Sequence, residues 1–189
     1  MDESGDALWG GRLDPTPDDA ADGARALSPS LAVAADGGAV VLFGRALADP
    51  SSSTLVFALA TQVFDAAGQR LAHTPVGTAG DSWARLALAA DGDLFVTGTL
   101  RDTLELGEVE LLAPSDSDGY LARLSPAGEV RWIKTFGAPT SFQIATHLAV
   151  ASGSRPIVGG QYRGSFAIGD DDMPLANDNP LAFVVAFAP

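Results

Sequence analysis

The chain has 189 residues, 47% of them hydrophobic and 19% charged, with a net charge of −13 and no cysteine. That is long enough to bury a core and too apolar for general disorder, and the lack of cysteine removes disulfides, thiolate metal sites and cysteine nucleophiles. The acidic balance argues against a nucleic-acid or anionic-membrane partner, both of which need a basic footprint.

No apolar run reaches membrane-spanning length. Met1-Asp2-Glu3-Ser4 has neither the basic start nor the apolar stretch of a secretory leader. The protein is therefore cytosolic, or its leader lies outside these 189 residues.

Residues 5–13, centred on Trp9, read as a lone outer strand. Residues 14–30 follow as an acidic inserted loop with Pro15, Pro17 and Pro29; Asp18 to Leu27 is the nearest approach to a helix, and it lacks caps. Three copies of one motif come next. The first is Leu31-Ala32-Val33-Ala34, an Asp36-Gly37-Gly38 turn, and an apolar run to Phe43-Gly44. The second is Leu86-Ala87-Leu88-Ala89, Asp91-Gly92, and a run to Val96-Thr97-Gly98. The third is Leu148-Ala149-Val150-Ala151, Ser152-Gly153, and a run to Ile157-Val158-Gly159-Gly160. The leading leucines are 55 and then 62 residues apart, a period typical of stacked or radial repeats.

Each copy predicts an antiparallel meander of strands a to d. Strand c covers Val56 to Phe64, Tyr120 to Leu124 and Phe183 to Phe187; strand d covers Gln69 to Val76 and Glu129 to Phe136. Strand a is rich in alanine, which suits crowding near an axis. Four-stranded sheets set radially about an axis are the blades of a β-propeller. The expected fold is therefore all-β, with blades at about 31–76, 84–136 and 145–189.

The third copy stops at Ala188-Pro189, which aligns with Ser125-Pro126 at the end of strand c, while Gly5 to Trp9 aligns with Gly128 to Trp132. The first strand is thus placed to complete the last blade or to pair with another chain, unless the boundary is coincidental. Propellers need about 4–8 blades. The chain is then either a segment of a larger propeller or one half of a six-bladed homodimer.

These residues resemble a known family. Ala89 to Gly98, Leu106-Gly107, Asp118 to Leu124 and Gly128 to Trp132 together resemble the bacterial SBBP-type β-propeller repeat, common in large surface and secreted proteins of myxobacteria and their relatives. The third copy departs from it at Arg155-Pro156; the first lacks the Leu-Gly element and has Ala72 where the second has Trp132. The resemblance implies an extracellular or cell-envelope setting and brings no catalytic residues.

In such a meander the a–b and c–d turns share one end, and the long connections (14–30, 45–54, 77–84, 100–118, 137–144 and 161–181) share the other. Those connections hold sixteen acidic residues against Arg25, Arg45, Arg101 and Arg163. Such a face suits a divalent cation, a basic protein patch or a glycan; the plainer reading is that its acids keep glycine-rich loops solvated. For a cation, with Ca²⁺ foremost, the candidates are Asp170, Asp171 and Asp172, and Asp116 with Asp118. The aspartate triplet lacks the alternating ligands of a Ca²⁺ loop and also reads as a solvated turn. Asp118 sits where strand c begins and also suits backbone donors. Trp83, with Asp81 and Asp102, is the candidate ligand platform, although packing alone explains a tryptophan there.

A Ser/His/Asp triad can be drawn from Ser82, His147 and Asp81, but no Gly-x-Ser-x-Gly elbow accompanies it. The expected function is a non-enzymatic interaction or scaffold module with a protein or carbohydrate partner. The alternative is a carbohydrate-active or other hydrolytic propeller enzyme with loop carboxylates at the axis.

Overall fold

The computed structural model describes residues 9–10, 13, 29–47, 56–79, 84–101, 103–113, 117–168 and 171–188; among these there is no helix. Sheet formation starts from the turns. Four five-residue segments, Ala34–Gly38, Asp65–Gln69, Ala89–Asp93 and Ser125–Glu129, close identically. The first N–H donates to the fifth carbonyl at 2.8–3.0 Å, and the fourth N–H donates back to the first carbonyl at 2.9–3.1 Å. The fourth residue is glycine each time, with φ between +81° and +90°. A type I turn ending in a left-handed residue demands this, and glycine adopts it without a Cβ penalty. Side chains reinforce the bends: Asp36, Asp65 and Asp91 each accept from a backbone N–H two residues on.

The strands between these turns are β1 (Ser30–Val33), β2 (Ala39–Leu47), β3 (Val56–Phe64), β4 (Arg70–Ala79), β5 (Ala84–Leu88), β6 (Leu94–Leu100), β7 (Thr103–Leu106), β8 (Val109–Leu112), β9 (Asp118–Leu124), β10 (Val130–Phe136), β11 (Phe142–Ala151), β12 (Arg155–Gly164), β13 (Ala167–Ile168), β14 (Asp171–Asp172) and β15 (Ala176–Ala186). They form three main antiparallel sheets. The first has the order β1-β2-β3-β4-β7-β8, the second β10-β9-β6-β5, and the third β11-β12-β15; β13 and β14 make a small hairpin. The described residues form no closed ring.

The all-β class, the sites of the tight turns and the a-b-c-d order follow the sequence expectation. Several strands outgrow it: β11 begins at Phe142 rather than Leu148, and β15 begins at Ala176. Two connections expected to be loops carry hairpins. In Thr103-Leu104-Glu105-Leu106 apolar and polar residues alternate, so Leu104 and Leu106 are buried while Glu105 is exposed. Strand β7 then joins the outer edge of the first sheet through Gly77↔Leu106, Thr78↔Glu105 and Ala79↔Leu104. Gly77, at φ +150°, permits this approach, since a Cβ there would stand 1.8 Å from the Glu105 carbonyl oxygen.

Between the first and second sheets lies an interior of Leu42, Leu59, Leu86, Val96, Leu106 and Leu124, among others. A second interior, between the second and third sheets, holds Phe95, Leu121, Phe136, Val158, Tyr162 and Phe183. The second sheet is therefore covered on both faces, and every residue of β6 is buried. Strand β5 packs against both β1 and β11, bringing the three first strands side by side. The Leu86 N–H donates to the buried Ser30 hydroxyl at 2.8 Å, tying β5 to β1.

Candidate functional site

The a–b turns of all three sheets meet around one open cavity of about 650 Å³. It is lined by Val33 to Asp36, Leu88 to Ala90 with Gly92, and Val150 to Gly153. The Ala90 N–H donates to the Ser154 hydroxyl at 3.3 Å, joining two of these turns directly. Alanine and glycine at the turn positions leave the space open, and most of the lining is apolar. Because the short turns converge here, the connections between strands b and c, and from d to the next a, leave from the opposite end.

At that opposite end the second and third sheets share a buried polar network. The Ser117 hydroxyl donates to the Gln143 carbonyl at 2.9 Å, and the Gln143 N–H donates to the Ser117 carbonyl at 2.9 Å. The Gln143 side-chain nitrogen faces Asp118 Oδ1 and the Ser117 carbonyl, each at 3.3 Å, and its oxygen faces the Ser141 hydroxyl. Asp118 is fully buried. Its carboxylate occupies the space beside Gly137, where a Cβ would stand 1.7 Å from Oδ1, while the Phe136 ring covers Gly119. Asp118-Gly119 and Phe136-Gly137 interlock. Buried polar groups need such partners, and Asp118 belongs to this network rather than to an exposed acidic surface. Sequence reading caught Asp118 as a strand-c start but missed Ser117, Ser141 and Gln143, which carry no motif.

A second polar cluster lies at the short-turn end. Arg123 pairs with Asp91 at 2.5 Å and with Asp93 at 3.0 Å, while Arg131 approaches Asp93 at 3.7 Å. The Arg123 guanidinium lies 5.4 Å from the Phe95 ring centre, and Phe95 meets Trp132 at 5.8 Å. Trp132 packs at the interior between the second and third sheets. Strand register puts Phe95 opposite Arg123 and Arg123 opposite Trp132, so one row of side chains crosses three strands.

The remaining candidates divide. Asp172 is exposed on the β13–β14 hairpin, with Asp171 opposite Ile168 in its register. Asp170, Asp116, Trp83, Asp81, Asp102 and Ser82 lie outside the described residues, as does the side chain of Asp171. Among the described residues no three of His, Asp and Glu stand close enough to hold a metal ion. Glu105, Glu108 and Glu110, which fall in the connection 100–118 expected on the shared acidic face, sit on the β7–β8 hairpin, at the edge of the first sheet farthest from β1. The cause is the pairing of β7 with β4, and the Thr78 hydroxyl donates to the Glu105 carboxylate at 2.8 Å. His147 is exposed on β11 beside the Thr146 hydroxyl, and His73 is half-buried near the Gln62 amide. The chain matches no family model and no curated protein.

Proposed function

We propose that this chain is a non-enzymatic module of β-propeller type, akin to the bacterial SBBP-type repeats, working outside the cytoplasm. Its long connections present an acidic face to a partner, and the charge excess favours a basic protein patch over a glycan. The observation that carries this reading is the meeting of three equivalent a–b turns at one cavity. Sheets of common topology whose first strands lie side by side and whose turns share a centre are what radial blades require. With Asp118 buried and Glu105, Glu108 and Glu110 on the outer edge of the first sheet, the acids that can serve this role are those of the other long connections, Asp170, Asp171 and Asp172 foremost. Antiparallel strands direct those connections to the other end, where loops on a rigid scaffold commonly bind.

The test uses a basic peptide and Ca²⁺ as separate probes, titrated calorimetrically at low and at physiological salt. The peptide is expected to bind, more weakly as salt rises, and binding should fall when Asp170, Asp171 and Asp172 are all replaced by Asn. No heat with either probe, or peptide binding indifferent to those three residues, overturns the acidic-face reading. Turnover of aryl glycosides would move the assignment to a hydrolase.

A further inference from the structure

The first sheet runs past β4 and ends at β8. This strand lies mid-chain, between β7 and β9, so its bare edge is not an effect of either terminus. Among the described residues no strand pairs with its outer side. The direction of its backbone groups follows from the turn. The Gly107 N–H donates to the Val76 carbonyl at 3.1 Å, so Gly107 and, by alternation, Glu105 face β4, while Leu104 and Leu106 face β8. Leu106↔Val109 and Leu104↔Leu111 are then the pairs that exchange both hydrogen bonds. Glu110 and Leu112 direct their N–H and carbonyl groups outward, away from the sheet.

The side chains select what adds to this edge. Leu111 packs against the aliphatic interior, while Glu110 and Leu112 stand on the other face, Leu112 being 70% exposed. Register lines up Ala58, Thr78, Glu105 and Glu110 across four strands on that face. Glu105 and Glu110 form a pair without mutual backbone hydrogen bonds, the arrangement that brings cross-strand side chains closest. Like charges so placed repel. The Thr78 hydroxyl donates to Glu105, and among the described residues no cation pairs with Glu105, Glu108 or Glu110. A second copy of this chain is a poor occupant, because two joined β8 edges would bring their glutamates together and each chain carries −13. Short length and charge commonly blunt an edge. Here the charge is of one sign, so it rejects acidic strands and admits basic ones.

We propose that the β8 edge takes an extended basic segment of a partner protein as a seventh strand. Two residues of that segment exchange backbone hydrogen bonds with Glu110 and Leu112. A Lys or Arg opposite Glu110 continues the row of Thr78, Glu105 and Glu110, and its apolar neighbours extend the face begun by Val109 and Leu111. The site lies on a different sheet from the β13–β14 hairpin that carries Asp171 and Asp172.

The probe is an acetylated, amidated octapeptide alternating lysine and valine. It is added to the full chain with Asp170, Asp171 and Asp172 replaced by Asn, so that the edge is read apart from those acids. The Glu110 and Leu112 amides should gain about tenfold protection from hydrogen exchange, while Leu111, already bonded to β7, stays unchanged. N-methylation of the peptide's lysines, whose N–H groups face the edge, should abolish binding; N-methylation of its valines should not. Glu110→Lys places opposite charges across β7 and β8, so the hairpin stays formed. That variant should refuse the lysine peptide and accept its glutamate–valine counterpart. Glu110 and Leu112 amides that gain no protection, or binding indifferent to lysine N-methylation, overturn the proposal. Binding seen in the wild-type chain and lost with the three asparagines also overturns it, and leaves the acidic connections as the binding face. Persistence of binding in the triple variant supports the edge alone, so the two readings fail separately.

Discussion

The two interiors fill the same kind of space in different ways. Between the first and second sheets the filling is aliphatic, with Leu42, Leu59, Leu94, Leu100, Leu104 and Leu106 around Phe57 and Tyr120. Between the second and third it is aromatic: Phe136 meets Phe183 at 6.0 Å and 78°, Phe166 meets Phe183 at 5.9 Å and 75°, and Tyr162 meets Phe166 at 5.0 Å. Strand β12 explains the second choice. It carries Gly159, Gly160 and Gly164, and a Cβ at Gly160 would stand 2.8 Å from the Phe183 ring. Large rings occupy what small residues leave vacant, while the aliphatic interior draws on more strands, including the two leucines of β7. Close packing tolerates either solution provided the volume is filled.

The contrast makes measurable claims. Phe183→Ala removes a ring touching three others and has no neighbouring Cβ at Gly160 to close the gap. It should cost about 3–5 kcal/mol in chemical denaturation and lower the stability of the third sheet first. Leu106→Ala opens a cavity among smaller side chains able to relax, and should fall lower, within the range of about 2–5 kcal/mol. Equal losses would mean that the two interiors do not differ in how they close. Gly77→Ala drives a methyl into the Glu105 carbonyl from a left-handed backbone, at about 1–3 kcal/mol. Its signature should be protease nicking within 103–112, with the aromatic interior unaffected. Ser30→Ala leaves the Leu86 N–H buried without its acceptor, worth about 1–3 kcal/mol, read as earlier amide exchange in β5. Asp93→Asn should cost the least, under about 1 kcal/mol, because Arg123 keeps Asp91 and the face of Phe95.

The turns were the most legible part of the sequence, because each has a glycine at a place where only a left-handed residue fits. Strand Val56–Phe64 was read to the residue, since an apolar run bounded by turn signals leaves little choice. The hairpin β7–β8 was also written there, as Thr-Leu-Glu-Leu, Gly107-Glu108 and Val-Glu-Leu-Leu, but its length suggested a loop and its partner strand lies in another copy of the repeat. No sequence pattern distinguishes buried Leu121 from exposed Val184: both are apolar at equivalent positions, and the neighbouring sheet decides. The network of Ser117, Ser141 and Gln143 was illegible for a similar reason. Single polar residues acquire meaning only when two distant strands place them together around Asp118. Of the acidic set, three glutamates went to the outer edge through pairing of β7 with β4, a long-range event that local pattern does not encode.

The β7–β8 hairpin is covalently part of the second meander and, by its ladder, part of the first sheet. Units that touch only through side chains fray independently from the ends of an array. Here, prising the first two units apart requires unzipping Gly77↔Leu106 through Ala79↔Leu104 and drawing two leucines into water. The first two units should therefore melt as one cooperative block, and the third, tied to the second among the described residues by the Ser117–Gln143 hydrogen bonds rather than by a strand ladder, should loosen before them.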